Sequence, residues 1–392
     1  MSKGSQYAQL GVEADKSAVR QAFSAAIRND YPGAFVNIAR HPLFPEYVKT
    51  QHADGDGSKS TVRLLMYLIT GDVSWFDGMI DDAFSMNMGD IAASGFVTGD
   101  ISITDTLNVN RFNMPKDELM ACMSRRLGEL QQLYSGFGFP SIDFMGGETA
   151  DLPRQVQSSV FDMTVHAVMP ASGVIAGNVQ PGDRIWGFAS DGQAVWEKSK
   201  NSGIMSNGLT LAASSLLLKH YTETHPQVLL AGATFKGVYP VQAHDKLIEG
   251  TIGEALLSPT RQWALVIKLL IDKLRETGEL HLLHGISMNT GGGATKCRSL
   301  STGGVLIKKK MPAPPGIFAL VQREPNEIWK NMYETFNCGI GLDIIGSAGL
   351  EKALKYVEER TGVVLHDLGS CQESITEENH VVLETPFGKF DY

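Results

Sequence analysis

Residues 160–190 read VFDMTVHAVMPASGVIAGNVQPGDRIWGFAS. They hold a strand, a break and a second strand. The first run is rich in Phe, Met, Val and Thr and ends at Pro170, the pattern of a strand closed by a proline. A stretch rich in Gly and Pro follows, and Pro181-Gly182 is a turn signal. DRIWGFAS, from Asp183, then starts a new strand. This break, between Pro170 and Gly182, is the best boundary in the chain and divides residues 1–170 from residues 171–392.

Outward from the break, strands and helices mix without strict alternation. The spacing of Leu119, Met123, Leu127 and Leu130 predicts a helix that stops near Gly136. SPTRQWALVIKLLIDKLRETG (Ser258–Gly278) predicts another, capped by Ser258, with Pro259 in its first turn and Gly278 at its end. NEIWKNMYETFN and GLEKALKYVEERTG are two further helices. LDIIG and HVVLETP are strands. The expected class is α+β in two domains rather than a doubly wound parallel sheet.

A net charge of −9 over 392 residues argues against a general nucleic-acid binder or an anionic-membrane binder. The one basic run, Lys308-Lys309-Lys310, reads as a solvated strand end. Cys122, Cys297, Cys338 and Cys371 are scattered, without a Cys-x-x-Cys pair, and fit reduced thiols in a cytoplasmic protein. No apolar run is long enough to span a bilayer. The first residues, MSKGSQYAQLGVEADKS, lack the apolar core of a secretory signal and are expected to start mobile.

The chemistry gathers where glycines meet carboxylates. ADGDGSKST (Ala53–Thr61) sets Asp54, Asp56 and Lys59 among Gly55 and Gly57. Glycines admit backbone amides to an anion, lysine offers a point charge, and aspartates would hold a divalent cation between themselves and phosphate. An acidic surface loop is the plainer alternative. NTGGGATK (Asn289–Lys296) fails the P-loop spacing but implies a tight backbone. SIDFMGGETADLP (Ser141–Pro153) carries Gly146, Gly147, Glu148 and Asp151, the last as well read as a loop salt bridge as a ligand. SNG (Ser206–Gly208) fits a helix start. In FDGMIDDAFSMNMGD (Phe76–Asp90), Asp77, Asp81, Asp82 and Asp90 interrupt apolar sequence, where carboxylates are costly unless paired or metal-bound. His281 and His284 lack a third zinc ligand. These residues together describe an acidic α+β enzyme handling a magnesium-bound phosphate compound.

In this order the motifs resemble the aminoimidazole ribonucleotide synthetase (phosphoribosylformylglycinamidine cyclo-ligase) family. DGDGSK, FDGMIDDAFSMNMGD, MGGETADLP, GDRIWGFASDG, SNGLTL, LLSPTRQWALVIK, TGGG and TFNCGIGL each look like a family segment, from about Asp54 to Asp343. The resemblance implies an N-terminal α/β domain that forms a shared sheet or barrel in a homodimer, beside a C-terminal α+β domain. It implies ATP and Mg²⁺, and ATP-driven ring closure of formylglycinamidine ribonucleotide, a small nucleotide substrate. Lys59 and Asp90 would then be catalytic. Gly55, Gly57, Ser58, Lys59, Gly146 and Gly147 would bind ATP phosphate. Asn207 and Gly291, Gly292 and Gly293 would bind substrate, and Asp54, Asp82, Asp90 and Glu148 would hold metal.

The chain departs from the family at three places. Met205 and Met288 stand where the family has histidines, and Gly89 replaces an Asn before Asp90. His284 is a possible substitute for a missing histidine. An insertion, Gln193–Ile204, is expected either to cover the site or to extend a dimer contact. Two alternatives stay open. One is another ATP-using member of the superfamily, such as formylglycinamidine ribonucleotide synthetase, selenophosphate synthetase or thiamine-monophosphate kinase. The other is a nucleotide-binding chain without catalysis.

Overall fold

The computed structural model describes residues 5–12, 21–23 and 25–392. Most of the segment expected to start mobile therefore lies outside the described residues. Within it, Gln6–Gln9 forms one helical turn capped by Ser5.

The first sheet has five strands: β1 (Ala39–Arg40), β2 (Tyr47–Gly55), β3 (Asp100–Val109), β4 (Ile142–Asp151) and β5 (Ser159–Pro170). Their order is β1-β2-β5-β3-β4. Only the β3–β4 pair is parallel. β5 sits in the middle and shows why its sequence reads as it does. From Ser159 to Met169 every second residue, including Phe161, Met163, Val165 and Ala167, is buried, while Val160 and Asp162 on the other face are exposed. This is the period-2 pattern of a half-buried strand, and it is cleaner than the residue types alone suggest.

Three helices follow the first strands: α1 (Lys59–Thr70), α2 (Asp77–Ala93) and α3 (Lys116–Gly136). α2 is the central one. Every residue from Met79 to Ala93 is buried, Asp81, Asp82 and Asp90 included, so these carboxylates need partners inside the fold. It packs on β2, β5 and α3, and also on the strand Leu283–Met288 and the helix Trp263–Thr277 of the second half.

The second sheet has seven strands: β6 (Arg184–Ala189), β9 (Leu283–Met288), β10 (Val305–Lys310), β11 (Ile340–Gly346), β12 (Leu365–Glu373), β13 (His380–Thr385) and β14 (Gly388–Asp391). Their order is β14-β13-β10-β12-β6-β11-β9, and a separate pair, β7 (Asp191–Gly192) and β8 (Asn201–Ser202), stands apart from them. Against this sheet and around it lie α4 (Leu209–Leu216), α5 (Ile252–Leu257), α6 (Trp263–Thr277), α7 (Gly316–Arg323), α8 (Trp329–Thr335) and α9 (Glu351–Thr361). Among the described residues, no helix is long and apolar enough to cross a membrane.

Two local expectations are corrected. Ser258 does not cap the long helix. It ends α5, and α6 begins only at Trp263, because residues 258–262 are drawn into contacts with α1 and α2. The Lys308-Lys309-Lys310 run is not a solvated strand end throughout. Strand alternation turns Lys309 fully inward while Lys310 stays exposed.

Candidate active site

Three loops that are remote in sequence converge on α1 and α2. The Lys59 ammonium donates to Asp82 Oδ1 at 2.9 Å and to the Ser258 carbonyl at 2.6 Å. Thr260 donates to the same Asp82 oxygen through its amide and its hydroxyl, both at 2.7 Å. Arg63 Nη2 donates to Asp82 Oδ2. Lys59, Arg63 and Asp82 are almost wholly buried. Burial works against the charge of Asp82, but Lys59 and Arg63 outweigh it and hold its carboxyl below the usual range. Beside this cluster, Asp56 accepts from Ser60 Oγ at 2.9 Å and lies 3.7 Å from Arg63 Nε. Burial pushes the Asp56 carboxyl up to about 7, against the pull of Arg63.

The same loops touch the Ser-Asn-Gly segment. Ser58 Oγ is 2.6 Å from Thr210 Oγ1, and Ser206 Oγ is 2.9 Å from Thr260 Oγ1. Gly208 takes the helix-start position of α4 with φ +75, and no side chain caps that helix. Asn207 is thus left for another use. Its Nδ2 is buried without a hydrogen-bond partner, and its Oδ1 faces Gly291 in the glycine loop.

At the far end of α2, Asp90 Oδ2 is 3.2 Å from His52 Nε2, and Asn87 Oδ1 is 3.2 Å from His52 Nδ1. Burial works against protonation of His52, but Asp90 and the nearby Asp54 outweigh it, so its pKa is raised. Asp90 Oδ1 is buried and accepts no hydrogen bond. The sequence reading missed His52. Its only signal was its place two residues before Asp54 on a strand, which puts both on one face.

Several assigned residues stand elsewhere. Lys59 was expected at a transferring phosphate, but it is fully buried and its ammonium is committed to Asp82 and Ser258. Asp82 was expected to hold metal, but its two oxygens already receive four donors from Lys59, Thr260 and Arg63. Both are structural anchors in this arrangement. Glu148 is exposed on β4. Register places it in one row with Thr106, Asp162 and Gly55. That is three strand spacings, about 14 Å, from the Asp54 end of β2, so Glu148 does not face Asp54 within one chain.

Gly146 and Gly147 serve a bulge in β4. The register there shifts between Ile103 and Asp105, and a Cβ on Gly147 would collide with the Asp105 carboxylate. Gly55 closes β2 and is buried, while Gly57 and Ser58 form the turn into α1. Asp151 pairs with Lys116 at 2.9 Å, which is the salt-bridge alternative. His284 is held by Asp183 at 2.8 Å, at the end of β9 remote from Met288.

Among the described residues, no group of three or more His, Cys, Asp or Glu side chains is placed to hold a metal ion. Mg²⁺ needs less than that, because it commonly uses one or two carboxylates with substrate phosphates and water. Asp90, with its unpartnered Oδ1, and Asp54 beside His52 fit such a site.

A cleft of about 1000 Å³ opens between residues 191–202 and 247–262. None of Asp54, Asp90, Asn207 or the glycine loop lines it. Its two arginines are neutralised: Arg126 by Asp81 and Glu129, Arg261 by Glu197. The inserted segment forms one wall. Arg261 ties it down, donating to Glu197 Oε1 at 2.9 Å and to the carbonyls of Ala189, Asp191 and Gly192.

Two mixed sheets, the buried helix between them and the glycine-flanked carboxylates define the class: the chain has a PurM-like fold. Among solved structures it is similar to the HypE–HypF complex chain, with a TM-score of 0.52 and 13% identity, covering 96% of this chain and 98% of that one. It is equally similar to a Thermotoga maritima PurL complexed with FGAR, with a TM-score of 0.52 and 12% identity, over 95% of this chain and 49% of that longer one. By sequence its relatives include phosphoribosylformylglycinamidine cyclo-ligases. That of Methanocaldococcus jannaschii is 29% identical over 305 residues, 77% of this chain and 72% of the relative. That of Pyrococcus furiosus is 26% identical over 387 residues, 93% of this chain and 98% of the relative. No family model matches the chain.

Proposed function

We propose that this chain closes the ring of formylglycinamidine ribonucleotide to give aminoimidazole ribonucleotide, using ATP and Mg²⁺ and working as a homodimer. The observation that carries the reading is its similarity to cyclo-ligases along nearly the whole of both chains. The unpartnered Asp90 Oδ1 and Asn207 Nδ2 support it, since both are buried polar atoms still short of a partner.

In this reading the amide oxygen of the substrate attacks the γ-phosphorus of ATP, and ADP leaves. The amidine-side nitrogen of the same substrate then attacks the activated carbon, and phosphate leaves. An amide oxygen is a poor leaving group until it is phosphorylated. The chain's share is positioning and charge neutralisation. Asp54 and Asp90 would hold Mg²⁺, which supplies neutralisation of the phosphate charge. Asn207 and Gly291–Gly293 hold the substrate. His52, fixed between Asn87 and Asp90, is the titratable group best placed to hold a proton there. Residues 1–170 carry the nucleotide half and residues 171–392 the substrate half.

The dimer has its own support. β4 is an edge strand exposed over most of its length, with Phe144 and Met145 outward, and an apolar edge of this kind usually has a partner. A second copy there would also give Glu148 company that one chain does not.

Met205 and Met288 favour a second reading, a nucleotide-binding chain that does not cyclise. Both are buried, at 2% and 0% exposure, and neither side chain has a proton to transfer. Phosphate release from ATP, with and without formylglycinamidine ribonucleotide, separates the two. Release that rises with the substrate supports the cyclo-ligase. Release that ignores it sinks that reading.

A further inference from the structure

Lys309 on β10 and Asp343 on β11 form an ion pair at 2.6 Å with both side chains fully buried. β12 and β6 lie between their strands in the sheet. Such a pair is a poor way to stabilise a core, since an apolar pair of similar volume often does as well or better. Its retention has a local reason. The same Lys309 ammonium donates to the Ala294 carbonyl at 2.9 Å, one residue beyond the glycine loop Gly291–Gly293. Asp343 therefore fixes the ammonium, and the ammonium fixes the backbone behind the loop. Other grips act on the same segment: Ala294 N donates to the Phe336 carbonyl, and Asn289 Nδ2 to the Ile340 carbonyl. The neighbouring Cys297 thiol is buried, and burial pushes it up to about 12, so it stays neutral and takes no part in the charge.

We propose that Lys309 and Asp343 are positioning residues, whose pair locks the Gly291–Gly293 backbone into the shape that receives the substrate beside Asn207. The proposal rests on the substrate role given to that loop. Nothing in it requires either side chain to touch substrate. An orphaned Ala294 carbonyl would let the loop breathe, and a loop that breathes binds less well without altering the reaction once substrate is seated.

The test compares the wild-type chain with K309M/D343L, which replaces the pair by apolar groups of similar size. Amide hydrogen exchange is followed across the chain, and phosphate release is measured against formylglycinamidine ribonucleotide concentration. The expected result is exchange faster by roughly tenfold in residues 289–299 alone, with KM raised about tenfold and kcat held. Unchanged exchange in the loop overturns the proposal. So does faster exchange everywhere, which would make the pair a general stabiliser, or a loosened loop with unchanged KM. Should the double variant fail to fold, the wild type still decides. Loop amides that exchange as fast as those of the exposed 374–378 turn overturn the lock, and protected loop amides support it. If phosphate release in the wild type ignores the substrate, the cyclo-ligase reading fails, and the exchange comparison alone then judges the lock.

Discussion

Met288 Sδ occupies the space that a side chain at position 89 would need: a Cβ on Gly89 would collide with it. Two of the places where this chain departs from the family pattern are therefore one structural event, a methionine from β9 seated in a notch on α2 next to Asp90. The pair predicts its own coupling. Gly89→Ala should destabilise by about 1–3 kcal/mol through overpacking, despite alanine's better helix propensity. Met288→Ala should cost about 2–5 kcal/mol through the cavity it leaves. The double variant should be less destabilised than the sum, by at least about 0.5 kcal/mol, in urea unfolding. Strict additivity would show that the notch is not filled as described.

The commitment of Lys59 to Asp82 gives a second expectation. Lys59→Met leaves a buried carboxylate short of a cation and should lower stability on the order of 3–5 kcal/mol. Thermal melts would record this, and activity per folded molecule should change little. A large loss of kcat with an unchanged melting temperature would return Lys59 to the phosphate.

Asp56 sets a pH dependence. Its carboxyl is raised from 3.8 to about 7 in the folded chain, so between those values the folded state binds a proton that the unfolded state has released. Stability is fully present below about pH 4, falls as pH rises toward about 7, and is flat beyond. At ~1.4 kcal/mol per unit the whole effect is at most about 4 kcal/mol. Asp56→Asn should flatten this slope and raise the melting temperature at pH 8 relative to the wild type. An unchanged slope would remove Asp56 as its source.

At the proposed metal site, Asp90→Asn should weaken Mg-ATP binding about tenfold or more without lowering the melting temperature, by calorimetry. Glu148→Gln, out of reach of Asp54 in one chain, separates two cases. Weakened Mg-ATP binding in that variant, with a dimer by sedimentation, would place Glu148 against the partner. Normal binding leaves it a surface residue of β4. A monomer at micromolar concentration would count against the homodimer.

Periodicity made the strands legible. β5, β11 and β13 fall where alternating or apolar runs ended at Pro or Gly, β6 where one began after Pro181-Gly182, and the helices α3, α8 and α9 fall where apolar spacing was helical. Motif loops were less legible, for a physical reason. Asp82 is bound to Thr260 across 178 residues of sequence and to Lys59 as well, and a charge says nothing locally about whether its partner is a ligand or another side chain. Ser258 and Pro259 carried the composition of a helix start, yet Lys59 at the Ser258 carbonyl and Asn201 at the Pro259 carbonyl hold them out of the helix. Lys309 looked like one of three solvated lysines because its partner, Asp343, sits on another strand.

The placement of β5 between β2 and β3 bears on how the chain acquires its shape during synthesis. β2 and β3 share no hydrogen bonds with each other, so the first sheet cannot become continuous until residues 159–170 have left the ribosome. Until then two strand edges stay open beside the apolar surface of α2, whose other packing partners, β9 and α6, arrive about a hundred residues later still. The emerging N-terminal half is thus the stretch most in need of protection from premature association, and slowing elongation once residues 159–170 are clear of the ribosome should favour recovery of native protein.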